Sequence, residues 1–175
     1  MSQEYIDALY ETYPEALVNA YIEGYWTNLT TGTVHYAFDR AICDTTVVAR
    51  PKEHLHIGMD FNVYAMAATV GVIRENNVGK KCLFEVDEFV GLRDTPDMVR
   101  AIKTKYRKKG NEHPITIYPD SSGQAASSKN ADLSDHKILQ AEGWILKFDP
   151  TNPAIKNRIA SVNAGFEKGK VKVNV

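Results

Sequence analysis

The chain has 175 residues, 21 Lys and Arg against 22 Asp and Glu, and 43% hydrophobic residues. This length accommodates one domain with a full hydrophobic core and excludes two large ones, and the composition is that of an ordinary globular protein. The formal net charge of −1 leaves any polyanion-binding surface to local basic patches, and no apolar run approaches the roughly 18 residues that span a bilayer.

Residues 1–25 read as two short helices. Ile6, Leu9, Tyr10 and Tyr13 form one apolar stripe, Pro14 suits the first turn of a second helix carrying Leu17 and Tyr21, and Gly24 stops it. The opening Met-Ser-Gln-Glu-Tyr is polar and acidic, unlike a signal peptide, which points to an intracellular protein. Residues 26–53 mix β-branched residues with turn formers and predict an arm or hairpin. An N-terminal helical arm and linker over 1–53 and a core over 54–175 follow from this division. Cys43 and Cys82 lie far apart with no Cys-x-x-Cys spacing, and read as buried, reduced thiols.

The core begins with a short strand, Leu55 to Asp60, whose alternation sets His56, Gly58 and Asp60 on one face. Ala65 to Arg74 is a second strand, Glu75 to Gly79 a turn, and Lys81 to Val90 a third strand completing an antiparallel meander. Thr95-Pro96-Asp97 predicts a helix with Thr95 as N-cap and Pro96 at its first position. Its apolar face is Val99, Ile102 and Tyr106, and Gly110 ends it. Pro114 to Tyr118 is a fourth strand, expected parallel to the first. Residues 121–130 form a polar loop, Leu133 to Glu142 a helix, and Trp144 to Phe148 a fifth strand. Asn152-Pro153 starts a helix carrying Ile155, Ile159 and Val162, and Lys170 to Val175 is a last strand. The order β-β-β-α-β-α-β-α-β describes an α/β fold with a mixed sheet, as expected of a ribonuclease H-like core.

Asp60 is the most informative residue, because aspartate is disfavoured in strands and costly to bury unpaired. Its alternative is a strand-end residue capping the next turn. Asp120 follows the fourth strand and precedes Ser121-Ser122-Gly123. If that strand runs parallel beside the first, both carboxylates leave the same sheet edge, where open α/β sheets build their sites. Asp-Ser-Ser-Gly is also an ordinary turn sequence. On the third strand, alternation puts Glu85 and Asp87 on one face and Glu88 with Val86 on the other. Glu88 is the candidate contributor, with solvation expected for at least two of the three.

Converging carboxylates make an oxygen-only pocket suited to Mg²⁺ or Mn²⁺. Two such ions, with Asp60 bridging and Asp120 holding one of them, can activate water against a phosphodiester. His54, His56, His113 and His136 form no zinc motif, and His136 reads as a surface or helix-capping histidine, or as an assistant near the metals. Lys103, Lys105, Arg107, Lys108 and Lys109 form a basic patch able to hold DNA phosphates, or equally to offset a helix dipole. Val78-Gly79-Lys80-Lys81 lacks the glycine and Ser/Thr of a nucleotide-binding loop.

The chain resembles the nuclease domain of the large terminase subunit of tailed bacteriophages. Ala20-Tyr-Ile-Glu-Gly-Tyr-Trp26 and Val34-His-Tyr-Ala-Phe-Asp-Arg40 look like the segment joining the motor ATPase to the nuclease. His56-Ile-Gly-Met-Asp-Phe-Asn62 looks like the first catalytic strand and Tyr118-Pro-Asp-Ser-Ser-Gly123 like the second acidic motif. Ser134-Asp-His-Lys-Ile-Leu139 and Arg158-Ile-Ala-Ser-Val-Asn163 also fit. The resemblance implies a metal-dependent endonuclease that cuts concatemeric double-stranded DNA with little sequence preference. It implies Asp60 and Asp120 as catalytic metal ligands and Glu88 as a match to the family's acidic position on the third strand, a further catalytic residue. It also implies the terminase small subunit and portal protein as partners, and a place in the host cytoplasm at the procapsid.

Two departures accompany it. No Walker motif is present, so translocation is not expected of this chain. The family's last acidic ligand lies on a helix beyond the final strand, and Asp135 is a poor substitute. A docking or DNA-binding module of the packaging motor is therefore the alternative function. An actin-like ATPase is a rival of the same strand order, but Gly165 and Gly169 do not supply its late nucleotide loop.

Overall fold

A computed structural model of the protein describes residues 34–62, 64–124 and 134–174. The two helices expected within 1–25 and most of the 121–130 loop lie outside these residues. The described part is a mixed six-stranded sheet with helices, a ribonuclease H-like arrangement. Helix α1 (Arg40–Cys43) precedes strands β1 (Leu55–Asp60), β2 (Met66–Glu75) and β3 (Lys81–Leu92). Helix α2 (Thr95–Tyr106), hairpin strands β4 (Arg107–Lys108) and β5 (Asn111–Glu112), and strand β6 (Ile115–Pro119) follow. A 3₁₀ turn (Ser121–Gln124), α3 (Asp135–Ala141), β7 (Ile145–Leu146), α4 (Ile155–Glu167) and β8 (Val171–Val173) complete it.

The sheet order is β7-β6-β1-β2-β3-β8. The meander β1-β2-β3 is antiparallel, whereas β6 runs parallel to β1, β7 to β6, and β8 to β3. Alternation on β1 buries Leu55, Ile57 and Met59 and leaves His56, Gly58 and Asp60 on the other side. The buried set meets Val70 and Val72 of β2, Ile115 and Ile117 of β6, Met98, Val99, Ile102 and Tyr106 of α2, and Leu139 of α3. Fully burying each such aliphatic side chain contributes about 1.5–3 kcal/mol, so this face anchors the fold. Cys43 and Cys82 are buried free thiols, as expected.

Several boundaries differ from expectation for local reasons. The N-cap of α2 is Asp94, whose carboxylate accepts from the Asp97 N–H at 2.9 Å. Thr95 is instead buried and donates its hydroxyl to Asp135 at 2.6 Å, tying the starts of α2 and α3 together. Asp94→Ala is expected to lower stability by about 1 kcal/mol, read as a shift in the urea midpoint. Gly110 does not end α2. The helix stops at Tyr106, and Gly110, at φ +86°, makes the turn of the β4–β5 hairpin. The fifth strand shortens to Ile145–Leu146, and α3 begins at Asp135 under a Ser134 cap.

Residues 34–53 hold α1 and turns rather than the expected hairpin, and an isolated bridge joins Asp44 to Val173. The apolar stripe expected of α4 is not buried among the described residues: Ile155 is 67% exposed and Val162 39%. The helix instead buries Asn163, whose side-chain oxygen accepts from Ala37 N–H at 3.0 Å while its amide donates to Val34 and Ile159 carbonyls. A buried amide needs all of these partners, and satisfying them sets the rotation of the helix. Phe38 and His35 pack edge-on against Phe166 of α4 beside it.

Candidate active site

The parallel register of β1 and β6 pairs Met59 with Pro119, and the Asp120 N–H donates to the Met59 carbonyl at 3.0 Å. Asp60 and Asp120 therefore leave the sheet at the same edge, as the strand reading anticipated. Across the meander, Gly58 lies opposite Thr69, and Thr69 opposite Glu88. This row floors an open cleft of about 450 Å³ lined by Asp60, Asp120, Glu88, Thr69, Asn152 and Arg158 among others. Gly58 keeps the floor low, since a Cβ there would sit 3.3 Å from the Thr69 hydroxyl.

Glu88 reaches this face by a route that alternation did not foresee. Thr69 pairs with Glu88 and Val70 with Asp87, but Gly71 pairs with Glu85, so β3 carries a bulge at Val86. One extra residue reverses the alternation beyond it. Glu85 and Glu88 consequently share the cleft side, and Asp87, expected beside Glu85, points to the helical face. There it accepts from the Tyr106 hydroxyl and pairs with Lys105 at 2.6 Å. Burial and the Asp87 carboxylate both hold the Tyr106 phenol in its neutral form. Glu85 is half-buried beside Thr69, and desolvation raises its pKa above the ordinary glutamate range.

The two aspartates differ in support. Asp60 is exposed and accepts one hydrogen bond, from the Asn62 amide at 2.7 Å. Asp120 accepts from the Asn152 amide at 2.8 Å and from the Ser122 N–H at 2.7 Å. The Asn152 bond, then the Ser122 bond, hold its carboxyl below the ordinary aspartate range against partial burial, with a smaller contribution from Arg158. Asn152 and Arg158 were not foreseen as site residues; Asn152 had signalled only a helix start.

Asn152→Ala is expected to raise the titration midpoint of Asp120, followed by carboxyl ¹³C NMR. Because the folded pKa is depressed, this carboxylate adds stability above its unfolded pKa and loses it as pH falls through the folded value. The variant should narrow that acid window.

His136 is neither on the surface nor capping a helix. It is 4% exposed, its Nε2 lies 3.0 Å from the Asp120 carbonyl, and its ring packs 4.3 Å from that of Phe148. Gly123 makes room for it, since a Cβ there would come within 2.8 Å of the His136 ring and 2.4 Å of Phe61. His136 thus supports the Asp120 loop from beneath. The other histidines have separate partners: His54 bonds Thr116, His56 bonds Tyr118 and His113 bonds the Glu53 carbonyl.

The predicted basic patch lies away from the cleft. Lys103 pairs with Glu142 at 2.7 Å, Lys105 with Asp87, and Arg107 donates to the His113 carbonyl. Lys108 and Lys109 are exposed at the β4–β5 hairpin. Among the described residues no three His, Cys, Asp or Glu side chains converge closely enough to form a ready metal-binding group.

The structure superposes on the large terminase from a thermophilic bacteriophage with a TM-score of 0.55 at 15% identity, over 99% of this chain and 41% of that one. The fold is that of a large-terminase nuclease. The large terminase nuclease from the thermophilic phage G20c with bound magnesium matches at TM-score 0.51 and 18% identity, over 81% of this chain and 74% of that one. Its cobalt-bound form matches at the same TM-score and identity, over 81% and 73%. This terminase-nuclease fold thus spans about two fifths of the first of these chains, at 41%. No protein-family model and no curated protein matches the sequence. No helix among the described residues is long and apolar enough to cross a membrane.

Proposed function

We propose that this chain is a divalent-metal-dependent endonuclease domain that cuts double-stranded DNA for a tailed-phage packaging terminase. The observation that carries this reading is the emergence of Asp60 and Asp120 at one sheet edge, where they line one open cleft with Glu88. The donors are carboxylate oxygens, the type hard divalent cations prefer. Asp60 and Asp120 would hold the ion or ions, with Glu88 as a further acidic contributor. Magnesium and cobalt bound in the G20c nuclease support that chemistry. When bound, Mg²⁺ or Mn²⁺, in one or two ions, supplies the positive charge that activates water and offsets charge on the leaving oxygen.

The remaining work falls to the chain itself. Asn152 and Ser122 fix the Asp120 carboxylate in its ionised form, and Asn62 restrains Asp60. Arg158, lining the same cleft and near enough to Asp120 to act on its carboxyl, would pair with a phosphate there. The small subunit, the portal and the procapsid in the host cytoplasm are the partners and setting that this function carries with it.

The second reading is a docking or DNA-binding module that does not cut, favoured by the lack of three converged ligands among the described residues. Supercoiled-plasmid nicking with Mn²⁺ or Mg²⁺ separates the two. Metal-dependent nicking that Asp60→Asn removes supports the nuclease, and its absence at every metal concentration leaves the module.

A further inference from the structure

Four lysines from neighbouring segments line a second groove of about 450 Å³, at the other end of β3 from Glu88. Lys80 and Lys81 stand where the β2–β3 turn enters β3, Lys168 caps α4, and Lys170 leads into β8. All four are exposed, and among the described residues none enters an ion pair.

Their backbones are held firmly. Asn76 bonds both ways with Lys80: its side-chain oxygen accepts from the Lys80 N–H at 2.9 Å, and its own N–H donates to the Lys80 carbonyl at 2.9 Å. The Lys170 carbonyl accepts from Leu83 N–H at 2.8 Å, and the buried Cys82 thiol lies within reach of both the Lys80 and Gly169 carbonyls. Lys168 and Lys170, at and just beyond the C-cap, also offset the negative end of α4. That role does not account for Lys80 and Lys81, which belong to the hairpin.

Glu75 stands opposite Lys81 in the β2–β3 ladder but makes no ion pair with it, so the four like charges repel one another, and an anion relieves that repulsion. Among the described residues the groove is lined by these four lysines. Lysines are compact point charges that pair with phosphate oxygens without reading sequence. A membrane-binding face would carry an apolar side beside its cations. A phosphodiester backbone is therefore the fitting occupant.

Two internal rulers relate this groove to the cleft. Along β3, Lys81 to Glu88 covers about 23 Å at roughly 3.3 Å per residue. Along α4, Arg158 to Lys168 covers about 15 Å at about 1.5 Å per residue. At about 3.4 Å of duplex rise per base pair, the groove lies roughly four to seven base pairs from the cleft.

We infer that the groove of Lys80, Lys81, Lys168 and Lys170 is a second, non-catalytic contact for the backbone of double-stranded DNA seated in the cleft. This rests on the phosphodiester reading of the cleft. The test is fluorescence anisotropy of a labelled duplex long enough to span both sites, in EDTA to prevent cutting, at a series of salt concentrations. The variant K80Q/K81Q/K168Q/K170Q is expected to bind more weakly. Its slope of log affinity on log salt should be shallower by about 3–4, since each lost phosphate contact removes roughly 0.9. The variant with Arg at the same four positions should keep the wild-type slope, and circular dichroism should show both folded.

A glutamine variant with the wild-type affinity and slope overturns the inference, as does a variant that loses binding to anionic vesicles but not to duplex. If the wild type nicks plasmid while the glutamine variant keeps its full slope, the groove fails and the nuclease reading stands. If the wild type neither binds duplex nor nicks plasmid, both fail together.

Discussion

Asp60→Asn is expected to lower metal-dependent plasmid nicking by more than about 100-fold, because losing an outer partner of a metal ligand already costs 10–100-fold. The substitution is nearly isosteric and removes one negative charge from the cleft. Asp60 is exposed, and its one side-chain partner is Asn62, so the fold should tolerate the change. Circular dichroism and the urea midpoint should match wild type while nicking, measured from supercoiled to open-circle conversion, disappears. Asn152→Ala should have a smaller effect on nicking, since it loosens Asp120 without removing its charge. An Asp60→Asn protein that nicks at the wild-type rate would sink the assignment of Asp60 and point to a contaminating activity.

Ile117→Ala is expected to cost about 2–5 kcal/mol of stability, the usual range for truncating a buried isoleucine. Ile117 is fully buried on β6, pairs in register with Ile57 of β1, and sits in the cluster with α2 and α3. Its strand joins β7 to the rest of the sheet and carries Asp120 at its end. A domain of this size has only about 5–15 kcal/mol of net stability, so the variant should unfold at a markedly lower urea concentration. A cost below about 1 kcal/mol would mean that the site collapses around the missing carbons and that this face is not the main core.

The strand order and the Asp60–Asp120 pairing were legible because they rest on short-range regularities. Leu55, Ile57 and Met59 alternate with His56, Gly58 and Asp60, and only one phase of that alternation buries the apolar set. A helix between β3 and β6 requires a crossover, which makes β6 parallel to β1 and brings the two aspartates to one edge. The position of Glu88 was also named from sequence, but for a face that regular alternation assigned wrongly to its neighbours. The bulge at Val86 carries no residue signal of its own, and it sets Asp87 against α2 and puts Glu85 on the same sheet face as Glu88, beside the cleft.

What the sequence determined by itself is therefore Asp60: a carboxylate at the end of an apolar strand, with Asp120 as its partner, both consequences of period and chain order. Only the tertiary structure decided what surrounds them. Asn152 reaches Asp120 across 32 residues, His136 becomes the buried prop of its loop, and the Lys103–Lys109 patch turns away from the cleft. Lys80 and Lys170, far apart in the chain, meet instead in one groove. The reason is physical: alternation follows from backbone geometry and burial within a few residues. Hydrogen-bond partners and charge clusters depend on which distant segments the completed sheet brings into contact.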